Sequence, residues 1–268
     1  MELLNDLVMS SLSGEGFIRA IQAHAERSLA VRHPLLRALA QGELEDLPGA
    51  LRRFFAEYYV YSYRFTQYLA ATMSSLEDPA HRALLLRNSS EEAGEVDASH
   101  ARELRRIGIN PSDALAPHPE LFRRFLTAIG VPPHNLLERK PHVATLAWIE
   151  TFLGICRQGG PHQAIGAIGI ATEGIVRHIY GQLLVAIERA WPELAPRDRV
   201  FFDLHAAVDD SHAEVLGRIA IALSDTLEGR REIIIGVLKA LNARSVFFDD
   251  MLAYLQRTDS SNRTAEAA

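Results

Sequence analysis

The chain has very little cysteine, no basic stretch and no long apolar run. Its single cysteine, Cys156, excludes an internal disulfide, and a buried, unreactive thiol within a helix is the simplest role for it. The net charge of −6 argues against a nucleic-acid partner, because phosphate binding needs a basic surface. The acidic start MELLNDLVMSS differs from a signal peptide, and no apolar segment has the length of a membrane span. We therefore expect a cytoplasmic protein that binds neither nucleic acid nor membranes.

Several sequence signatures are missing as well. Runs of alternating β-branched residues, which predict strands, do not occur. The chain has no Walker-type phosphate loop, GxGxxG fingerprint, GxSxG nucleophile elbow or internal repeat. Its composition, 48% hydrophobic and 23% charged, is that of a globular protein. Helical spacing along nearly every segment, together with the lack of strand patterns, predicts an all-α fold. We place one domain at residues 1–257 and a disordered polar tail at 258–268.

Helical periodicity runs through nearly the whole chain. We expect Asp78 to cap one helix and Gly94 to end it. The Pro-rich segment 110–140 is interpreted as an insertion or lid, with His118 and His134 as surface residues. Apolar spacing and capping residues predict helices over residues 14–30, 35–41, 48–76, 81–90, 100–107, 120–129, 142–158, 162–191, 201–216 and 231–257.

The helix predicted at residues 201–216 carries the clearest sign of a site. His205, Asp209 and His212 stand at i, i+4 and i+7, so their side chains share one face of a helix. The surrounding residues are mostly apolar, which places this polar trio on or beside the buried side. Buried imidazoles and carboxylates are costly unless something satisfies them, and a metal ion does so. The alternative is a surface helix with a pH-sensitive polar patch.

Two further carboxylates and one imidazole could complete such a site. Glu173 interrupts the apolar run of the helix at 162–191, where the alternative is a structural pair with Arg177 or His178. Glu92 and His100 stand on either side of the helix break at Gly94, where the alternative is a solvated acidic surface.

These residues add up to three carboxylates and three imidazoles from three helical regions. A single zinc ion needs only three or four protein ligands, so six indicate two metal ions. Mixed nitrogen and oxygen ligands inside a helix bundle suit iron, with manganese as an alternative.

The pattern resembles a known family, the heme-oxygenase-like diiron oxidases and oxygenases, whose fold is related to the TenA and PqqC proteins. The resemblance rests on the His-x3-Asp-x2-His motif at residues 205–212, on Glu173 some thirty residues earlier, and on Glu92 with His100. It implies a heme-oxygenase-like helical bundle of about seven or more helices. It also implies that all six residues are catalytic and hold two iron ions, cycling between Fe2+ and Fe3+, with O2 as co-substrate.

The resemblance implies a small-molecule substrate and leaves a homodimer open. Family members oxidise amino acids, amines or fatty acids, or rebuild their own tyrosine into 4-aminobenzoate. Thr172 and Ile175 would line an apolar substrate pocket, and Arg177 or Arg64 could anchor a substrate carboxylate, although simple core packing explains the apolar residues equally well. Two other functions stay open, a metal-independent TenA- or PqqC-like enzyme and a non-catalytic helical binding protein.

Overall fold

The structure, a computed structural model, describes the backbone of residues 2–96, 98–106, 108–132, 136–207 and 210–266. Side chains are described for these residues except 2–5, 99, 100, 103, 207, 210–212 and 259–266. Within these limits the fold is all-α, without a strand. The helices are α1 (Glu2–Met9), α2 (Gly14–Glu26), α3 (Pro34–Gln41), α4 (Leu47–Ser62), α5 (Phe65–Ser75), α6 (Pro79–Glu92), α7 (Ala98–Arg106), α8 (His118–Ala128), α9 (Val143–Gln158), α10 (Gly160–Ile165), a π-helical segment (Gly166–Glu173), α11 (Gly174–Ala190), α12 (Val200–Ala207), α13 (Asp210–Leu223) and α14 (Leu227–Glu266).

The local signals that the sequence offers for helix ends are largely confirmed. Asp78 caps α6 by accepting a hydrogen bond from the backbone N–H of Ala80 at 2.8 Å. Gly94 follows the end of α6 with φ of +95°, a conformation that favours glycine. His142 caps α9 through its Nδ1, which accepts from the N–H of Ala144 at 3.2 Å.

Several predicted boundaries differ from the structure. The first long helix ends at Glu26, four residues early. The helix expected over 48–76 breaks after Ser62, and Arg64 donates a hydrogen bond to the carbonyl of Val60 at this break. The backbone of α14 continues to Glu266, into the segment that we expected to be disordered.

The Pro-rich segment, interpreted from sequence as an insertion or lid, contributes to the core through α8. This helix buries Leu121, Phe122, Phe125 and Leu126 and packs on α4 and α12. His118 starts the same apolar face, because positions i, i+3, i+4 and i+7 of a helix lie on one side. The prolines before it conceal this periodicity in the sequence.

The segment from α10 through α11 forms the centre of the bundle and packs against α14 and α13. Two of its glycines allow these neighbouring helices to come close. A Cβ on Gly166 would lie 2.5 Å from the carbonyl oxygen of Ile233, and one on Gly169 would lie 2.9 Å from Cβ of Leu216. Gly181 differs, because a Cβ there would meet nothing within 4 Å. Close packing against a neighbouring helix is therefore present at Gly166 and Gly169 but not at Gly181.

This contrast gives a paired prediction on stability. Gly166→Ala should lower the free energy of unfolding by about 1–3 kcal/mol, because the methyl group would collide with a backbone atom that cannot rotate away. Gly181→Ala should raise it by about 0.5–1 kcal/mol, since alanine favours a helix and has room. Urea denaturation followed by circular dichroism measures both. Equal stability of the two variants would contradict the packing described for Gly166.

Two further expectations concern membrane spans and the single cysteine. In the described part, every helix is too short or too polar to cross a bilayer. Cys156 is fully buried, and burial raises the pKa of its thiol to about 12. The thiol is therefore neutral and unreactive at physiological pH, as expected for a packing residue.

Candidate metal centre

Three buried side chains from three different helices meet at one point. Glu92 is the last residue of α6, His118 the first of α8, and His205 lies in the last turn of α12. One potential ligand atom from each lies within 4.8 Å of the other two. Such a separation lets one cation contact all three atoms.

The contact between Glu92 and His118 shows how these atoms are arranged. Oε2 of Glu92 lies 2.9 Å from Nδ1 of His118, yet Nδ1 makes no hydrogen bond in the described part of the chain. The two atoms are thus close without the alignment of a donor and an acceptor. A buried nitrogen without a hydrogen bond destabilises the folded protein. A cation bound by both the nitrogen and the carboxylate would remove this cost.

The imidazole of His205 has a fixed orientation. Its Nδ1 lies 2.6 Å from the carbonyl oxygen of Phe201, which can only accept, so Nδ1 donates the hydrogen bond. The lone pair of the neutral ring is then on Nε2. A backbone carbonyl holding one nitrogen while the other faces a metal is the usual arrangement of histidine ligands. The ring also contacts that of His118, with centroids 4.7 Å apart.

Glu173 reaches the same place from the centre of the bundle. It is the last residue of the π-helical segment, is 5% exposed, and lines the same cavity as Glu92, His118 and His205. Beside it, Oγ1 of Thr172 donates a hydrogen bond to the carbonyl oxygen of Ala167 at 3.0 Å. A π segment is rare and shifts the residues after it around the helix axis, which sets the direction of Glu173.

The cavity that these residues share is small, with a volume of about 30 Å³. Apart from the polar cluster, its wall is mainly aromatic, and it also contains the buried guanidinium of Arg244. Burial raises the pKa of Tyr61 well above its ordinary value, so that this phenol stays neutral. The aromatic residues of the wall are Tyr58, Tyr61, Phe65, Tyr180 and Phe201.

The structure brings together three of the six ligands predicted from sequence, namely Glu92, Glu173 and His205. Asp209 lies outside the described residues, as do the side chains of His100 and His212. The backbones of these two histidines belong to α7 and α13. Their roles as ligands stay predictions.

The residues predicted to bind substrate lie in different parts of the structure. Thr172 lines the cavity, whereas Ile175 is fully buried away from it. Arg177 does not reach the cavity, because it is exposed and lines an outer groove beside α2. Glu173 lines that groove as well, so the role of Arg177 as a substrate anchor stays a prediction.

Sequence reasoning missed two residues of the cavity, His118 and Arg244. We predicted that His118 lies at the surface, which is wrong, since it is 6% exposed. Arg244 is 1% exposed and shares its helical face with Phe247, Phe248 and Met251, all fully buried. In both cases the sequence did indicate burial. Apolar residues follow the polar one after three, four and seven positions, so they lie on the same face of the helix.

The donor set fits iron. Two carboxylates and two imidazoles, all buried, face one cavity, and sulfur does not contribute. Oxygen and nitrogen donors of this kind suit Fe2+ and Fe3+, and the carboxylates offset the metal charge.

Comparison with known proteins agrees with this chemistry. Residues 52–245 match the model of a family described as iron-containing redox enzymes. The 4-aminobenzoate synthase of Chlamydia trachomatis is 25% identical over 209 residues, covering 76% of this chain and 80% of that protein.

Solved structures support the fold. A domain of unknown function with a heme oxygenase-like fold from Shewanella denitrificans superposes with a TM-score of 0.68 at 18% identity, covering 94% of this chain and 97% of that one. A TenA homologue from Pseudomonas syringae gives 0.67 at 14% identity, with 88% and 91% covered. The match of the family model over most of the chain, the fold and the donor set lead to one conclusion: this chain belongs to the iron-containing redox enzymes of the heme-oxygenase-like fold.

Proposed function

We propose that the protein is a non-heme diiron oxidoreductase that uses O2 to oxidise a small apolar molecule. The observation that carries this proposal is the convergence of Glu92, His118 and His205 in a buried cavity that also contains Glu173. When bound, ferrous iron would supply the electrons that reduce dioxygen.

The chain itself contributes ligands, orientation and exclusion of water. The described part offers two carboxylates and two imidazoles, which is enough for one iron and part of the ligands of a second. We propose that the remaining ligands come from His100, Asp209 and His212, as the resemblance implies. The Phe201 carbonyl keeps the proton of His205 on Nδ1, which leaves the lone pair of Nε2 for a metal ion. The aromatic wall leaves room for little bulk water, which protects a reactive oxidant from side reactions.

The lining of the cavity favours apolar substrates such as an amino acid, an amine or a fatty acid. Most of the exposed surface of the wall is apolar, and its hydrogen-bond donors outside the ligand cluster are single hydroxyl groups and the guanidinium of Arg244. A sugar or nucleotide would need many more polar partners than this wall provides.

The curated relatives suggest a second candidate, because they are named 4-aminobenzoate synthases. Tyr58, Tyr61 and Tyr180 line the same cavity as the metal-binding cluster, so a tyrosine of the chain itself is within reach of an oxidant formed there. In this case, ferrous protein supplied with O2, a reductant and an amine nitrogen donor such as an ammonium salt, but with no other substrate, should release 4-aminobenzoate and lose mass from one tyrosine. Mass spectrometry of the intact protein and of the released small molecules tests both points. An unchanged protein mass would contradict this second candidate.

Oxygen uptake after anaerobic loading with Fe(II) tests the main proposal. We expect the loaded protein to consume O2, and dodecanoate or phenylalanine to accelerate that consumption. Glucose 6-phosphate is the polar control and should have no effect. A protein that binds no iron and consumes no O2 would instead support the metal-independent enzyme or the binding protein. Acceleration by glucose 6-phosphate alone would contradict the apolar substrate class.

A further inference from the structure

Arg244 on α14 is a buried cation that lines the candidate metal cavity and has few partners. One terminal nitrogen, Nη1, donates to the hydroxyl of Tyr58 at 3.1 Å. The other, Nη2, lies 3.4 Å from Oγ1 of Thr172, at the limit of a hydrogen bond. Nε is buried without a partner. A guanidinium carries five N–H donors, so most of its capacity is unused.

The charge of Arg244 is also unbalanced. In the part of the chain that the structure describes, no carboxylate lies within the 4.0 Å of an ion pair with it. The ring of Trp148 lies 5.1 Å from the guanidinium carbon, and that of Tyr61 lies 5.9 Å away, which offsets part of the desolvation. Burial acts to lower the pKa of Arg244, but the neighbouring phenols leave it raised, so the group stays charged. Glu92 and Glu173 line the same cavity without forming an ion pair with Arg244, so a ligand carboxylate that contacts the guanidinium directly would offset the cost of its burial.

We propose that Arg244 binds the carboxylate group of the substrate, which makes the substrate class a small monocarboxylic acid. This assignment rests on the proposed function, because it places the acid beside the ligand cluster. A planar carboxylate matches the two parallel N–H bonds of a guanidinium. Thr172, next in the chain to Glu173, also lies beside Arg244, so the acid would be held close to the metal ligands.

The cavity also indicates how the rest of the acid is accommodated. Its volume of about 30 Å³ admits a head group but not a longer body. Ser62 and Thr66 line it at the break between α4 and α5, and Thr66 is exposed, so the cavity reaches the surface there. We expect an apolar tail to extend toward this break and to displace Phe65, which is only partly buried.

Tryptophan fluorescence of the metal-free protein tests the assignment. The chain has two tryptophans, and Trp191→Phe leaves Trp148, which stacks on Tyr61 with ring centroids 3.5 Å apart and contacts Arg244. In this background, hexanoate and benzoate are titrated against hexanamide and benzamide, which match their shapes without the charge. We expect at least one acid to bind ten or more times tighter than its amide. Arg244→Met should abolish that preference, while Arg231→Gln, at an exposed arginine of the same helix, should leave it unchanged.

Further variants and ligands keep the test decisive. If Arg244→Met does not fold by circular dichroism, Arg244→Lys, which keeps the charge and loses the fork, should reduce the preference without abolishing it. Acids that bind no tighter than their amides, or a preference that survives Arg244→Met, would overturn the proposal. Tighter binding of inorganic phosphate than of either acid would overturn the carboxylate assignment as well. Because no metal is present, this result is independent of whether the protein binds iron.

Discussion

His205→Ala is expected to remove most of the activity and at least one iron per chain. His205 lies at the meeting point of Glu92 and His118, and its orientation is fixed by the Phe201 carbonyl. Loss of this imidazole would leave Glu92, His118 and Glu173 with one imidazole between them, which weakens the binding of the ion that His205 contacts. Iron per chain, measured by plasma mass spectrometry after anaerobic loading, and O2 uptake give the two readouts.

A matched control separates loss of a ligand from loss of any histidine. His81 lies on the same helix as Glu92, but its Nε2 is 3.7 Å from Oδ2 of Asp78 at the other end of that helix. The variant His81→Ala should therefore keep its iron and its activity. Circular dichroism should show native helix content in both variants. Full iron occupancy in His205→Ala would remove the central residue from the proposed site.

His118→Gln is expected to lower iron content to a similar extent. The side chain of His118 contacts Glu92 at 2.9 Å and is buried in the cavity, although the sequence motif pointed to His100 instead. Glutamine keeps much of the volume of histidine, so packing on Phe201 should change little, while the ligand nitrogen is lost.

The same measurement on His100→Gln distinguishes two versions of the site. Unchanged iron in this variant would mean that His118 takes the place we assigned to His100. Reduced iron in both variants would mean that both histidines are ligands. Two irons retained in His118→Gln would show that the contact with Glu92 is structural.

The sequence predicted the fold well because helix signals are local. Caps such as Asp78 and breaks such as Gly94 act on their own helix, and the apolar spacing repeats along almost every segment. The break after Ser62 was missed because no glycine or proline marks it. It depends on how α4 and α5 pack on the remainder of the bundle, which is information that a local window lacks.

The site was predicted only in part because its ligands are far apart in the chain. Glu173 could be found as a carboxylate within an apolar run, and His205 as part of a helical motif. His118 is 26 residues beyond Glu92 and comes close only through the packing of α8 on α12. Arg244 reaches the cavity from α14, and only the tertiary fold shows that its face of the helix meets the ligand cluster.

The metal content of the wild-type chain tests the central claim most directly. Protein purified without chelators, loaded anaerobically with Fe(II) and freed of excess metal should contain about two irons per chain. Mössbauer spectroscopy of the 57Fe-loaded sample after exposure to O2 should show two ferric ions coupled to each other. A single uncoupled iron, or a protein that retains zinc in preference to iron, would contradict a diiron site.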